Sequence, residues 1–425
     1  MPWPGLLRRF PVLGVRDFRL LLADRLLAPA SFAFSMVGVS FAVLDTTGSS
    51  TDLSYVLAAQ LFPMLVFALV GGVVADRVPP QRVIVAANVL VAAGEGGFGI
   101  LVLAGRAHLW EMVCLEVLTG AGISIFYPAS QSLLPRLVPE HLVHEASALS
   151  RLVMNAALMG GAAVAGLFVA AAGPGWALVT CSVGTSGTVP LLLAIRAAGP
   201  ARSERSSVLR DLRDGWSEFA SRTWLWGVVA QYLVVVGAWY AGFQVLGPVV
   251  ARRSLGGPAA WGAITAAESV GLILGGLVAL HFHPKRPIRL VALAGFAFAL
   301  PPLALAMGWP LPLVCVAALG EGSMLEISMV YWTVALARHI PPDRLAKVFS
   351  YDLIGSMMGG PVGALAAGPA AAALGVPATQ YGAAVLVVVA TLLALVPRDV
   401  RQLRGTQPLT PAEAAAAAVA GPSLP

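Results

Sequence analysis

Several ionisable side chains fall inside long apolar runs of this sequence: Asp24, Arg25, Glu95, Glu116, Glu268, Glu321 and Glu326. A charge at bilayer depth costs about 2.5–3.5 kcal/mol on insertion scales, so such residues face a partner or a water-filled cavity and mark functional sites. A carboxyl group cut off from bulk water can take up and release protons, which would link a proton gradient to the movement of a solute. Glu321 and Glu326 are five residues apart and project about 140° from each other on one helix. Asp24 and Arg25 are adjacent and point in different directions, and Arg25 is expected to pair with a carboxylate such as Glu116. Glu95 and Glu268 are read first as hydrogen bonds between helices.

A second set is aromatic and polar: Trp239, Tyr240 and Gln244, with Tyr331 and Trp332. Aromatic faces attract cations, and together these residues could line an adaptable cavity. Each taken alone reads more readily as packing or as an interfacial anchor. Other chemistries find little support. His108, His141, His144, His281, His283 and His339 lie toward the ends of apolar runs, without the acidic partners of a catalytic or metal cluster. Cys114, Cys181 and Cys315 have neither metal spacing nor a disulfide pattern. No Gly-x-x-x-x-Gly-Lys loop offers direct ATP drive. A membrane-embedded enzyme or a receptor-like sensor is therefore the alternative of another class, and no stretch reads as a soluble sensor domain.

The elements that must position these residues are set by composition. The 425 residues are 58% hydrophobic and 11% charged, with a mean hydropathy of +0.82. Soluble domains carry roughly 25% charged residues, so lipid rather than water is the solvent for most of this chain. A helix needs about 20 apolar residues to cross a bilayer. That length predicts an all-α integral membrane fold with spans near 18–44, 54–75, 82–104, 109–133, 146–171 and 175–195. A second set follows near 224–249, 258–280, 288–307, 311–336, 348–372 and 378–397. The expected organisation is an N-terminal segment over 1–17, a six-helix bundle over 18–196, a linker over 197–223, a second bundle over 224–397 and a tail over 398–425. Within the linker, Val208, Leu209, Leu212, Trp216, Phe219 and Ala220 recur at helical spacing, which predicts an amphipathic helix on the membrane surface. The tail is expected to be disordered past about residue 407. No cleavable leader is expected, since Pro2, Pro4 and Pro11 interrupt the start.

The net charge of +6 does not form the single basic face that nucleic acid requires. Lys and Arg instead collect between spans on one side, the cytoplasmic side by the positive-inside rule. Of the 27 basic residues the outer loops hold only Arg106, Arg252 and Arg253. Both termini are thus expected in the cytoplasm.

The two bundles repeat each other. Gly71-Gly-Val-Val-Ala-Asp-Arg-Val-Pro-Pro-Gln-Arg-Val-Ile84 matches Gly275-Gly-Leu-Val-Ala-Leu-His-Phe-His-Pro-Lys-Arg-Pro-Ile288 at the glycine pair, Val74/Val278, Ala75/Ala279, Pro80/Pro284, Arg82/Arg286 and Ile84/Ile288. Arg136-x-x-Pro139 recurs as Arg338-x-x-Pro341, and Met159-Gly-Gly161 as Met358-Gly-Gly360. Three matches in one order at nearly one offset argue for duplication, the architecture on which many transporters build a midplane site between two halves.

Gly72-x-x-x-Asp76-Arg77-x-x-x-x-Arg82, after the second span, resembles motif A of the major facilitator superfamily. It departs from the usual turn at Pro79 and Pro80. Phe18-Arg19, Pro128-Ala129, Leu133-Leu-Pro-Arg-Leu-Val-Pro139, Trp332, Arg338-His-Ile-Pro-Pro342, Ser350-Tyr-Asp352 and Pro361-x-Gly363 resemble the bacterial drug- and siderophore-exporter branch, which includes enterobactin exporters and macrolide efflux proteins. Two departures from antiporter patterns are visible. Gly160 to Gly166 lacks a proline, and Glu116 stands where the fourth-helix pattern has an arginine.

The resemblance implies twelve helices in two pseudo-symmetric bundles, with the first, fourth, seventh and tenth lining the central cavity. Glu116, Glu321 and Glu326 are then the leading candidates for proton coupling or for holding a cationic substrate, followed for proton coupling by Asp24 and Arg25. Trp239, Tyr240, Gln244, Tyr331 and Trp332 are the substrate-cavity candidates. Gly72, Asp76, Arg77 and Arg82 would form the cytoplasmic gate, with Asp76 meeting the start of the eleventh helix; a carboxylate suits a helix N-terminus. Leu280 replaces that acid in the second half. The implied function is proton-coupled efflux of a small amphipathic organic compound by alternating access, or else import of a small solute. The implied partners are substrate, protons and lipid, with no cofactor, no metal and no nucleic acid. The chain is expected to act as a monomer in a bacterial inner membrane.

Overall fold

The computed structural model describes residues 11–75, 79–196, 216–217 and 219–403. Among these, helices account for every predicted span. They are α1 (Arg16–Thr47), α2 (Ser50–Ala75), α3 (Pro80–Leu103), α4 (Leu109–Leu137), α5 (Val143–Ala172) and α6 (Pro174–Leu193). There follow α7 (Thr223–Leu255), α8 (Pro258–His281), α9 (Pro287–Ala306) and α10 (Leu311–His339). Next is α11, in two pieces, Pro342–Met357 and Gly359–Leu374, then α12 (Val376–Ala394) and a short α13 (Arg398–Gln402). Eleven helices among the described residues are long and apolar enough to cross a membrane; the twelfth predicted span is the 26-residue α2. The chain is an all-helical multi-pass membrane protein.

The punctuation follows residue chemistry. Proline sits in the first turn of α3, α6, α8, α9 and α11, where its missing N–H costs nothing. Gly173 before α6 and Gly375 before α12 have φ of 90° and 89°, a backbone region that a side chain would strain. They lie at matching places in the repeat.

α7 differs from expectation. It runs on to Leu255 rather than ending near 249, with π-helical turns over Tyr240–Val245 and Ala251–Leu255. Gln380 of α12 donates from Nε2 to the Gly242 carbonyl at 2.9 Å, the kind of inserted partner that supports a bulged turn. The eleventh helix also begins earlier than predicted, at Pro342, and its two pieces meet at Met358.

The described residues fall into two compact units, within Met1–Thr47 and Ala59–Ser203 and within Gly48–Ala58 and Glu204–Pro425. In the first, α3 packs on α4 and α6, and α1 packs on α5 and α6. In the second, α8 packs on α10, while α7 packs on α11 and α12. The predicted linker falls mostly outside the described residues. Of its apolar stripe, Trp216 stacks on Phe219 at 5.8 Å and tilts against Tyr351 of α11 at 5.5 Å. The tail beyond 403 also lies outside them.

Candidate functional site

In the first unit the buried acids form a chain of polar contacts. Gly120 of α4 lies where a Cβ would run into the Gln60 carbonyl of α2, so the two helices approach as closely as backbone allows. That approach lets Gln60 Nε2 donate to Glu116 Oε2 at 2.7 Å. Glu116 has no solvent exposure, and its Oε1 has no hydrogen-bond partner among the described residues. Gly94 of α3 is pressed in the same way against Leu115 and Thr119 of α4, which brings Glu95 within electrostatic reach of Glu116. Ser35 Oγ of α1 donates to Glu95 Oε1 at 2.6 Å. Glu95 therefore has its inter-helix hydrogen bond and in addition neighbours a second carboxyl group.

Arg25 has partners other than the one expected. Its guanidinium donates to the Ser130 carbonyl at 3.2 Å and lies 4.0 Å from the sulfur of Met154, with the Phe126 ring centroid 6.0 Å away. Glu116 takes Gln60 as its donor instead. Asp24 turns toward other helices: Asn88 Nδ2 of α3 donates to Asp24 Oδ1 at 3.3 Å and to Thr188 Oγ1 of α6 at 2.7 Å.

The second unit holds Glu321 on α10, fully buried, with neither oxygen hydrogen-bonded among the described residues. Gly322 beside it is packed against the Glu268 carbonyl of α8, and Glu268 lies within electrostatic reach of Glu321. Glu326 is half-buried, its side chain beside Gly276 of α8.

The aromatic candidates separate. Trp332 donates from Nε1 to Asp352 Oδ2 of α11 at 2.8 Å. The Tyr331 hydroxyl donates to the carbonyls of Ala279 and Phe282 at the end of α8. Both are fastened to neighbouring helices. Trp239 packs edge-on to Tyr240 at 5.1 Å and to Phe298 at 6.5 Å. Tyr240 and Gln244 are half-buried on the π-turn of α7. Of the gate motif, Arg82 is exposed at the start of α3 and Gly72 falls within α2, whereas Asp76 and Arg77 lie outside the described residues. Sequence reasoning missed Gln60, Ser35 and Asn88, neutral residues whose only signal is polarity within an apolar run. Among the described residues no group of three or more His, Cys, Asp or Glu could hold a metal ion.

The comparisons with known proteins agree with this architecture. Residues 10–414 match the family described as transmembrane secretion effector. The chain belongs to that family of major facilitator transporters. It is 25% identical over 402 residues to the enterobactin exporters of Shigella boydii serotype 18 and Escherichia coli O1:K1, covering 92% of this chain and 94% of theirs. The fold is similar to that of a point mutant of the nucleoside transporter NupG, with a TM-score of 0.76 at 12% identity over 89% of this chain and 99% of that one. A D-xylose-proton symporter aligns with a TM-score of 0.64 at 14% identity, over 90% and 96% of the two chains. As a major facilitator protein this chain is a transporter rather than an enzyme.

Proposed function

We propose that the protein exports a small amphipathic organic compound from the cytoplasm in exchange for protons, by alternating access. The observation that carries this reading is Glu116. It is fully buried, one oxygen is held by Gln60, the other has no partner among the described residues, and a second carboxyl, Glu95, lies close by. A carboxyl group so placed can alternate between protonated and charged states as water gains or loses access. Glu321 and Glu326 are the further proton-coupling groups. The direction is supported by the enterobactin exporters among the relatives.

Gly72, Asp76, Arg77 and Arg82 act in this reading as the cytoplasmic gate, and the protein works as a monomer driven by the proton gradient without a cofactor. The distribution of Lys and Arg supports an inner-membrane protein with both termini in the cytoplasm.

The test is transport in proteoliposomes under an imposed pH gradient, with enterobactin and lipophilic dyes as trial substrates. Wild type is compared with Glu116→Gln, Glu321→Gln and Glu326→Gln. Gradient-driven movement abolished by Glu116→Gln is the expected result. Movement that ignores the gradient and survives all three substitutions would sink proton coupling.

A further inference from the structure

The second unit departs from its repeat at the corner where α8 joins α9 and α12 joins α13. In the first unit the corresponding corner is closed by a neutral side chain. Gln81, at the start of α3, is buried and donates from Nε2 to the carbonyls of Leu192 and Ile195 at the end of α6, to the latter at 2.9 Å. The repeat carries Gln81 to Lys285 and Ile195 to the turn at Pro397 and Arg398. The Lys285 side chain is exposed and closes nothing: it makes no hydrogen bond among the described residues. Arg286 and Arg289 at the start of α9, and Arg398 and Arg401 on α13, are exposed beside it.

Packing gathers these cations. Val400 of α13 is fully buried, and α13 packs against α7 and against Pro287–Ala294 of α9. Arg401 is tied down by donating to the Val396 carbonyl at 3.2 Å. Lys285, Arg286, Arg289 and Arg398 enter no ion pair among the described residues, and Asp399 is the one acid within 282–294 and 395–403. The first turn of α9 adds free backbone N–H groups, which also favour an anion. On the membrane side of the same corner Leu392, Leu393 and Val396 of α12 and Phe282 after α8 are exposed. Membrane topology accounts for Lys and Arg on this side of the bilayer. It does not account for their gathering at one corner whose counterpart is closed by a buried glutamine.

We propose that the corner formed by α9, α12 and α13 binds the phosphate headgroup of an anionic phospholipid, whose acyl chains lie along α12. Basic pockets between membrane helices recognise such headgroups by charge and by hydrogen bonds to the phosphate. Unpaired guanidinium groups stand here directly beside exposed apolar side chains, in the order in which the lipid carries its phosphate and its chains. A free phosphate would meet the charge alone, whereas a lipid meets the charge and the apolar flank together. The site needs neither proton coupling nor a direction of transport, so it stands apart from the function proposed above.

The experiment follows lipid retained by the purified full-length protein in detergent, by native mass spectrometry, on titration with dioleoyl phosphatidylglycerol or dioleoyl phosphatidylcholine. Wild type is expected to bind phosphatidylglycerol about tenfold more tightly or better, and the preference should shrink as salt is raised. Arg289→Gln with Arg398→Gln is expected to lower phosphatidylglycerol affinity about tenfold or more and to leave phosphatidylcholine unchanged. Arg16→Gln with Arg19→Gln takes two exposed charges from the first unit instead and should retain phosphatidylglycerol as wild type does. Thermal unfolding within a few degrees of wild type, by the scale of surface substitutions, establishes that each variant is folded. Equal retention of the two lipids by wild type, unchanged retention by the folded Arg289 and Arg398 double variant, or an equal loss in the charge-matched control each overturns the site. Displacement of phosphatidylglycerol by inorganic phosphate, but not by sodium chloride at the same ionic strength, would assign the corner to a soluble anion and overturn the lipid.

Discussion

Asp24 and Gln231, 207 residues apart, stand in corresponding hydrogen-bond networks of the two repeats. Asp24 of α1 accepts a hydrogen bond from Asn88 of α3, which also donates to Thr188 of α6. Gln231 of α7 donates to the Ala292 carbonyl of α9 and to Thr391 Oγ1 of α12. Asn88 and Ala292 are 204 residues apart in the chain, the offset of the motif-A repeat, and Thr188 and Thr391 are 203 apart. The next residue changes in step: Arg25 follows Asp24, and Tyr232 follows Gln231. One repeat has a charged pair where the other has a neutral pair, and in each repeat the hydrogen bonds tie together three helices, through Asn88 in the first and through Gln231 in the second.

That equivalence predicts that Asp24 serves Arg25 and the helix junction rather than proton transfer. Arg25 is buried, and Asp24 is a charge within its reach. Asp24→Gln alone is expected to cost about 3–5 kcal/mol, because it strips a buried cation of a counter-charge. The double variant Asp24→Gln, Arg25→Tyr copies the second repeat and should return to within about 1 kcal/mol of wild type, as neutral pairs that replace buried ion pairs often do. Thermal unfolding in detergent reads both, and proton-driven transport should survive in the double variant. Loss of coupling there, with stability intact, would make Asp24 a proton carrier after all.

A second prediction concerns the contact that holds Glu116. A methyl group at Gly120 would meet the Gln60 carbonyl, so Gly120→Ala must push α2 away from α4 and take Gln60 out of reach of Glu116. Gly120→Ala and Gln60→Leu are expected to lower gradient-driven transport alike, by about tenfold if one charge-assisted hydrogen bond of about 1.5 kcal/mol is lost. Gly382→Ala on α12, which has open space around it, should transport as wild type does. Wild-type rates in Gly120→Ala would separate the helix crossing from the function of Glu116.

Trp332 offers a test of whether an aromatic residue in the tenth helix lines the substrate path or fastens the helix. Its indole donates to Asp352, whose other oxygen has Ser356 at 3.4 Å. Trp332→Phe leaves a buried carboxylate short of its best donor and is expected to cost about 1–3 kcal/mol. Trp332→Phe with Asp352→Leu removes both partners and should recover most of that loss. Unfolding temperatures of the two variants check the prediction. A fall in substrate affinity at unchanged stability would assign Trp332 to the cavity.

Much of this architecture could be read from the residues. Spans were legible because lipid demands apolar length, and the repeat was legible because Gly71-Gly72 and Gly275-Gly276 are each followed at the same spacing by Pro80 or Pro284 and Arg82 or Arg286. The partners of the acids were not. Glu116 stands out in an apolar run, but Gln60 is neutral and cheap enough to pass as packing. Its role depends on Gly120 letting two backbones touch, which is a fact of three dimensions. The Ser130 carbonyl that accepts from Arg25 is a backbone group and has no signature in the sequence. The π-turn over Tyr240–Val245 likewise carries no marker in its own residues, and Gln380, which donates to its Gly242 carbonyl, comes from a helix far along the chain.

The last prediction fixes orientation, on which export rather than import depends. Arg252 and Arg253 lie in the last turn of α7, at the α7–α8 loop, and Lys285 and Arg286 lie between α8 and α9. These two loops must face opposite sides, since α8 has the length and composition to cross the membrane between them. The basic residues of the whole chain favour the α8–α9 side as cytoplasmic. In a background with Cys114, Cys181 and Cys315 replaced by serine, Ser254→Cys and Lys285→Cys both present an exposed thiol. A membrane-impermeant maleimide applied to intact cells should label Ser254→Cys at once, and Lys285→Cys only after permeabilisation. Cys181 is fully buried in α6, so its replacement needs a check that the protein still folds. The reverse labelling pattern would turn the protein over in the membrane, placing motif A outside and removing the basis for a cytoplasmic gate at Asp76.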